Sequence, residues 1–585
     1  MVFHSLDRPA QSDMAALSRS RLLPNLYDLI AIAFVIALGA LAAHGVAEMR
    51  APMNVLAGDP ISLDPARLPE YALRTTLRML AAIVASLLFT FIVATMAAKS
   101  RRAEMLIVPA LDILQSVPVL GFLTFTVTFF IGLFPGSQMG AECASIFALF
   151  TSQAWNMTFS FYQSLRTAPR DLDEVCRGFR LSAWQRFWRL EAPFAAPGLV
   201  WNTMMSMSGG WFFVVASEAI TVGNTTVQLP GLGSWLAVAI DRQDFKAVAW
   251  AVLAMGVVIL LYDQLIFRPI VAWADKFRFE QTASGQRPGS WVYDLIRRTR
   301  FLRILTAPLA GLWDGLMMLR LPVPALPASV RQKGRDLSRL FDILWFGAVG
   351  ALGIWGVWSL VTYVSASLGW ADLGQAFAGG LATLVRVIVL IALASVIWVP
   401  LGVWIGLRPH VAQKVQPVAQ FLAAFPANVL FPVAVLAIVS TGASPNIWLS
   451  PLMVLGTQWY ILFNVIAGAS AFPSDLREAA AVYRLRSWTW WRRVILPGIF
   501  PYYITGALTA SGGSWNASIV AEVASWGNTK IEAFGLGAYI AKATEAGDFP
   551  RVILGIAVMS LFVTLFNRVL WRPLTVFAEK RMRIN

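Results

Sequence analysis

The chain has 585 residues, of which 57% are hydrophobic and only 14% charged, and it carries a net charge of +15. So little polar surface excludes an ordinary water-soluble protein of this size, and makes bilayer the solvent for much of the chain. The positive charge, which in a soluble protein would suggest nucleic acid, fits basic loops held on the cytoplasmic side of a membrane. Two cysteines, Cys143 and Cys176, and three scattered histidines exclude a disulfide framework and leave no cluster for a metal or haem.

The N-terminus carries Arg8, Arg19 and Arg21 ahead of an apolar run with no small-residue cleavage site after it, which predicts a retained helix. A span of about 30 Å of hydrocarbon needs about 20 residues. Apolar runs of that order lie near 27–48, 74–98, 105–133, 142–164, 195–220 and 247–268. A second set lies near 342–365, 379–406, 415–440, 446–469, 499–524 and 551–571. The expected fold class is an all-α integral membrane protein with twelve transmembrane helices in two parallel six-helix repeats. Lys99, Arg101 and Arg102, the arginines between Arg166 and Arg189, and Arg572, Lys580, Arg581 and Arg583 place these loops and both termini in the cytoplasm.

Between the two sets lies a basic linker. Trp291 to Arg303 mixes aromatic and aliphatic residues with four arginines, which fits either an amphipathic helix on the inner leaflet or a solvated linker. Ala307 to Leu319 is apolar, but its shortness and Asp314 argue against another span. Pro109, Pro118, Pro417, Pro426 and Pro432 interrupt the third helix of each set, as gates or as ordinary kinks.

The two sets are a true repeat. At a constant offset of 304 residues, Pro169 matches Pro473, Glu174 Glu478, Trp184 Trp488, Pro193 Pro497, Gly209 Gly513, Trp211 Trp515 and Glu218 Glu522. Gly231-Leu-Gly233 likewise matches Gly535-Leu-Gly537, and Arg268-Pro269 matches Arg572-Pro573. Upstream, Pro109 and Pro118 match Pro417 and Pro426 at an offset of 308. Corresponding loops share their charge bias, so the repeats run in parallel and enclose a central pathway.

Asp171 to Pro193 and Asp475 to Pro497 join an acidic helix start, small residues, then aromatic residues and arginines suited to a protein interface, and a proline that opens the next helix. This resembles the EAA loop of type I ABC importer permeases. The second copy keeps Glu478, Ala479, Ala480, Ile495, Leu496 and Pro497. The first keeps Glu174 and Pro193 but has Val175 and Cys176 for the alanines, and the family glycine is Arg180 in one copy and Arg484 in the other. The resemblance implies a coupling helix seated on an ATPase at each loop. Both halves are similar to the branch handling nitrate, taurine and other sulfonates, or bicarbonate, through Gly513-Ser-Trp515-Asn516, Glu522, Gly535-Leu-Gly537 and their equivalents.

The resemblance divides the chain into an N-terminal part (1–70), a first permease domain (71–270), the linker (271–340), a seventh helix with its periplasmic loop (341–376), a second permease domain (377–575) and a basic tail (576–585). It implies an importer permease in a bacterial plasma membrane, served by two ATPase subunits and a periplasmic or lipid-anchored solute-binding protein. Membrane lipid is an expected partner and nucleic acid is not. No GxxxxGK[ST] loop occurs, so ATP and Mg belong to the partner and the chain has no catalytic residues of its own. Met207 to Trp211 faintly echoes an ABC signature peptide but lies within an apolar run, where small residues serve helix contact. Glu218 and Glu522 lie near the far end of their spans, either as pathway groups or, preferentially, as braces. Trp211 and Trp515 either line the cavity or pack between halves. Phe212 and Asn516, in register but chemically different, are candidates for recognising an asymmetric solute. The alternative reading is an ion- or proton-coupled secondary transporter with two six-helix halves.

Overall fold

In hydrocarbon each backbone N–H and C=O must be bonded within the protein, so long apolar runs become helices. The computed structural model describes residues 61–581, apart from 117–118, 169, 223–224, 278–289, 320–327, 471, 473 and 486, with a few residues between 32 and 43. The first half contains α1 (Leu68–Lys99), α2 (Arg101–Ser116), α3 (Val119–Leu133), α4 (Met139–Thr167), α5 (Arg170–Gly178), α6 (Ala183–Arg186) and α7 (Ala192–Glu218). A hairpin of β1 (Ala219–Val222) and β2 (Thr225–Gln228) follows, then α8 (Leu232–Asp241), α9 (Phe245–Tyr262) and α10 (Arg268–Ala274). The linker forms α11 (Trp291–Arg298) and α12 (Arg300–Met318), and α13 (Ala328–Ser365) leads on from it.

The second half opens with α14 (Trp370–Gly406), α15 (Pro409–Ala424), α16 (Phe431–Thr441), α17 (Pro445–Trp448), α18 (Leu452–Leu455) and α19 (Gln458–Ser470). It continues through α20 (Ser474–Val482), α21 (Ser487–Trp490), α22 (Leu496–Ala521), the hairpin β3 (Val523–Trp526) and β4 (Thr529–Glu532), α23 (Leu536–Glu545), α24 (Phe549–Phe566) and α25 (Arg572–Arg581). The 304-residue register is preserved in fine detail. Both hairpins keep it, as do α8 and α23. So do the π-helical turns, Phe187–Glu191 with Trp491–Ile495 and Asp263–Phe267 with Asn567–Trp571. A π turn is a local widening of the helix by one inserted residue, and its recurrence at matched positions marks it as part of the fold.

Among the described residues six helices are long and apolar enough to cross a membrane, or eight if two bent pairs each count as one span. The expected span near 27–48 lies largely outside the described residues, as does Pro118. The architecture is all-helical as expected, save for the two short hairpins, where β-branched runs pair antiparallel, Ala219 with Gln228 and Val523 with Glu532 at their ends. The expected spans near 142–164 and 446–469 differ in form. The first is the continuous α4, while Pro445–Leu455 and Gln458–Ser470 meet at a 44° bend. Pro451 and Gly456 stand there in place of Phe147 and Ser152. In the third helix of the second half the break is a 73° bend at Phe425 and Pro426, whereas Pro417 stays within α15 and Pro109 within α2.

The contacts divide the chain into two compact units. One comprises 1–44, 169–197 and 263–322; its described helices include α5, α6 and α10–α12. The other contains the remaining long helices and both hairpins. In this larger unit α1 packs along α4, and α19 packs against α14 and α22. Met79, Leu149, Met157, Ile461 and Leu462 are shut away, while Val84, Leu88, Ile92 and Met96 form an exposed apolar stripe four residues apart on α1. Such a stripe suits lipid rather than water.

Candidate functional site

A charge inside an apolar bundle has to be paired, because leaving it unpaired in hydrocarbon is costly. Arg78 on α1 is fully buried. It donates to Glu142 on α4 from Nε (2.5 Å) and Nη2 (2.7 Å), and to Glu218 at the end of α7 from Nη1 (2.7 Å). Glu218 also accepts from the Thr75 hydroxyl and the Gly233 N–H, both at 2.7 Å. The second half repeats the brace. Glu522 accepts from Arg386 Nη1 (2.8 Å), the Thr383 hydroxyl (2.7 Å) and the Ala538 N–H (3.1 Å). The halves differ at the next partner, since Asn446 stands in register with Glu142. Arg386 donates to the Asn446 carbonyl (3.2 Å) and amide oxygen (3.4 Å).

This geometry gives the Gly-Leu-Gly pairs a physical reason. A Cβ on Gly231 would stand 2.2 Å from Glu218 Oε2, and one on Gly535 would stand 2.2 Å from Glu522 Oε2. A Cβ on Gly233 or Gly537 would press into the backbone of α7 or α22. Only glycine lets the chain after each hairpin close over its carboxylate. Sequence reading identified the glutamates and glycines but missed Arg78, Arg386, Thr75 and Thr383. The signal was present as an arginine inside each apolar span, Arg78 and Arg386, with a threonine three residues earlier.

Within the larger unit, both halves wall a cleft enclosing about 840 Å³, part of it open to solvent. Its lining contains hydroxyl, amide and aromatic side chains and, among the described residues, no charged one. Six register pairs differ across it: Gln115 faces the cleft where the second half has Ala423, Ser152 where it has Gly456, Asn156 where it has Tyr460, Ser208 where it has Gly512, Phe212 where it has Asn516, and Phe213 where it has Ala517. Trp211 and Trp515 lie outside the lining, packed on Tyr262 and Phe562 respectively. Glu218 and Glu522 are withdrawn into their braces. The halves also bond directly: Asn428 donates to the Phe212 carbonyl (3.0 Å), Gln243 to the Trp526 carbonyl (3.1 Å), and the Gly527 N–H to the Ile240 carbonyl (3.0 Å).

The two loops share a backbone trace. Glu174, Val175 and Cys176 lie on α5, and Glu478, Ala479 and Ala480 on α20. Val175 and Ala479 are exposed, Cys176 is half-buried and Ala480 is buried. Burial pushes the Cys176 thiol up from its ordinary pKa. Arg180 and Arg484 both adopt left-handed backbone, with φ of 51° and 50°. The Leu181 N–H reaches the Cys176 carbonyl (3.1 Å) and the Arg180 N–H the Arg177 carbonyl (2.9 Å), the pairing of a Schellman helix end. The Leu485 N–H reaches Ala480 in the same way (2.9 Å). Both arginines therefore occupy a turn whose geometry favours glycine. Pro193 stands in the first turn of α7; Leu496 and Pro497 open α22.

Comparison with known proteins agrees with this two-fold construction. The family described as "Binding-protein-dependent transport system inner membrane component" matches twice, over residues 86–268 and 398–571. The nitrate import permease protein NrtB of Leptolyngbya laminosa is 28% identical over 186 residues, 32% of this chain and 63% of that protein. The bicarbonate transport system permease protein CmpB of Synechococcus elongatus is 28% identical over 209 residues, 36% of this chain and 72% of that protein. The taurine transport system permease protein TauC of Escherichia coli is 26% identical over 198 residues, 33% of this chain and 68% of that protein.

Proposed function

The chain belongs to the family of binding-protein-dependent transport system inner membrane components, and we propose that its two halves together form the whole solute pathway of an ATP-driven importer. The observation that carries this is the cleft, walled by both repeats and free of charge among its described lining residues. The residues at 71–270 and 377–575 act as two permease domains, each the equivalent of one subunit in a paired transporter. Twelve spans, counting one near 27–48, place both termini and both coupling loops in the cytoplasm. Two ATPase subunits seat on the loops, one around Glu174, Val175, Cys176, Arg180 and Pro193, the other around Glu478, Ala479, Ala480, Arg484, Leu496 and Pro497. ATP and Mg are held by those subunits. A solute-binding protein delivers its load to the opposite face, and α11 and α12 lie along the inner leaflet, where tryptophan and arginine are favoured.

The solute is a small anion of the nitrate, bicarbonate or sulfonate kind. Similarity to proteins named for nitrate, bicarbonate and taurine supports this. The chemistry of the cleft supports it too: hydroxyl and amide donors can share an oxyanion, and the two carboxylates that would repel one are engaged elsewhere. Asn516 and Phe212 orient the solute, since only unlike residues can distinguish the two ends of a solute held between like halves. The test is reconstitution in vesicles with its partner ATPase and solute-binding protein. ATP-dependent uptake of one of these anions, reduced several-fold by Asn516→Ala, is expected. Uptake driven by a proton gradient without ATP would return the secondary-transporter reading.

A further inference from the structure

We propose that α12 is a strap on the first coupling loop, which makes that loop a stiff lever and leaves the second compliant. This rests on the reading of both loops as ATPase seats.

The contact is chemically complementary. The last carbonyls of a helix lack partners within it. At the end of α12 the Leu316 carbonyl accepts from the Trp184 indole N–H (2.8 Å) and the Met318 carbonyl from the Gln185 amide (2.9 Å). The loop thus adds side-chain donors to the last turn of α12, where the Leu319 N–H also reaches the Leu316 carbonyl (3.3 Å). Arg189 reaches the Met318 side chain, and a cation is favoured at this end of a helix. Trp188 meets Trp313 edge to face at 5.1 Å and Trp184 at 5.8 Å. An ion-pair chain from Asp173 to Arg186 (2.9 Å) to Glu191 (3.2 Å) ties α5 to the strapped segment. The capping box of Ser182 and Gln185 fixes the turn between them.

The second loop has the same backbone but not these side chains. Thr489, Arg492, Arg477 and Trp490 stand in register with Gln185, Trp188, Asp173 and Arg186. Its tryptophan, Trp488, is 71% exposed. In the first loop α12 covers the aromatic segment and leaves Val175 and Phe179 exposed on α5, so the face offered to an ATPase stays open. The strapped loop is the one with Val175 and Cys176 where the other has Ala479 and Ala480.

The experiment uses the full chain assembled with its ATPase. Amide hydrogen exchange is compared over 183–191 and 487–495, and uptake per ATP hydrolysed is measured in vesicles, for the parent, Trp313→Ala, Trp184→Phe and the register control Trp488→Phe. The expected result is slower exchange over 183–191 than over 487–495 in the parent. Trp313→Ala and Trp184→Phe should raise exchange over 183–191 at least several-fold and lower the uptake-to-hydrolysis ratio, while Trp488→Phe changes neither. Equal exchange in the two parent loops, or variants that leave the first loop protected, would overturn the strap. Faster exchange with an unchanged ratio would overturn its mechanical role. Failure of the ATPase to cross-link to either loop would instead sink the coupling reading, and it is scored separately from exchange.

Discussion

At the scale of single residues, the firmest statement concerns Arg78. With two carboxylates around one guanidinium and no exposure, removing the cation strands two buried acids. Breaking a buried ion pair costs about 3–5 kcal/mol. Arg78→Ala is therefore expected to abolish accumulation of folded protein, or to lower its unfolding temperature in detergent far more than Arg386→Ala does. Arg386 faces one carboxylate and keeps 12% side-chain exposure, so its loss strands less charge. Equal effects of the two variants would show that the carboxylate count does not set the cost. Gly535→Ala probes the same brace from its other side. A methyl 2.2 Å from Glu522 Oε2 must push the carboxylate off Arg386 and Thr383, so Thr383→Ala combined with Gly535→Ala should cost less than the sum of the two.

At the scale of elements, the two matched loops keep one turn conformation at Arg180 and Arg484. Arg180 and Arg484 hold left-handed backbone at the ends of α5 and α20. That conformation costs an L-residue about 1–2 kcal/mol, which glycine avoids. Arg484→Gly should leave the loop intact and slow amide exchange in residues 479–485, whereas Arg484→Val should speed it, β-branching adding to the strain. If both variants behaved alike, backbone strain would not be the controlling term. The helix after the loop also begins alike in both halves, a π turn running into a proline-bearing helix. The helical segments 139–167 and 445–470 differ because Pro451 and Gly456 break the second. The bend brings Gly456 and Thr457 to the cleft, so a local helix break contributes to its asymmetry.

At the scale of the whole molecule, the larger unit is held by reciprocal contacts between its halves. The β3–β4 hairpin meets the end of α8 through Gln243, Gly527 and the Phe245–Trp526 ring pair, whose centroids are 4.5 Å apart. In sequence register, Val222 stands where the second half has Trp526. Trp526→Val should remove an aromatic pair worth about 0.5–1.5 kcal/mol beyond its buried area. The measurement is the unfolding temperature of the detergent-solubilised protein, and no decrease would show that this seam carries none of the stability.

The sequence by itself determined the membrane environment, the two-fold repeat, and the matched positions of the two loops, of Glu218 and Glu522 and of the Gly-Leu-Gly pairs. These are legible because hydrophobic runs, charge bias and a constant offset are properties of the linear chain. Only tertiary structure decided that both glutamates face arginines rather than the cleft, that Trp211 and Trp515 pack behind the lining, and that the first loop bonds the end of α12. Those outcomes depend on contacts between residues 15 to 143 positions apart, such as Gly233 with Glu218 and Thr75 with Glu218. Periodicity shows which face of a helix is apolar. It does not show which buried donor will meet which buried acceptor, and in a low-dielectric interior that pairing decides where a charge can rest.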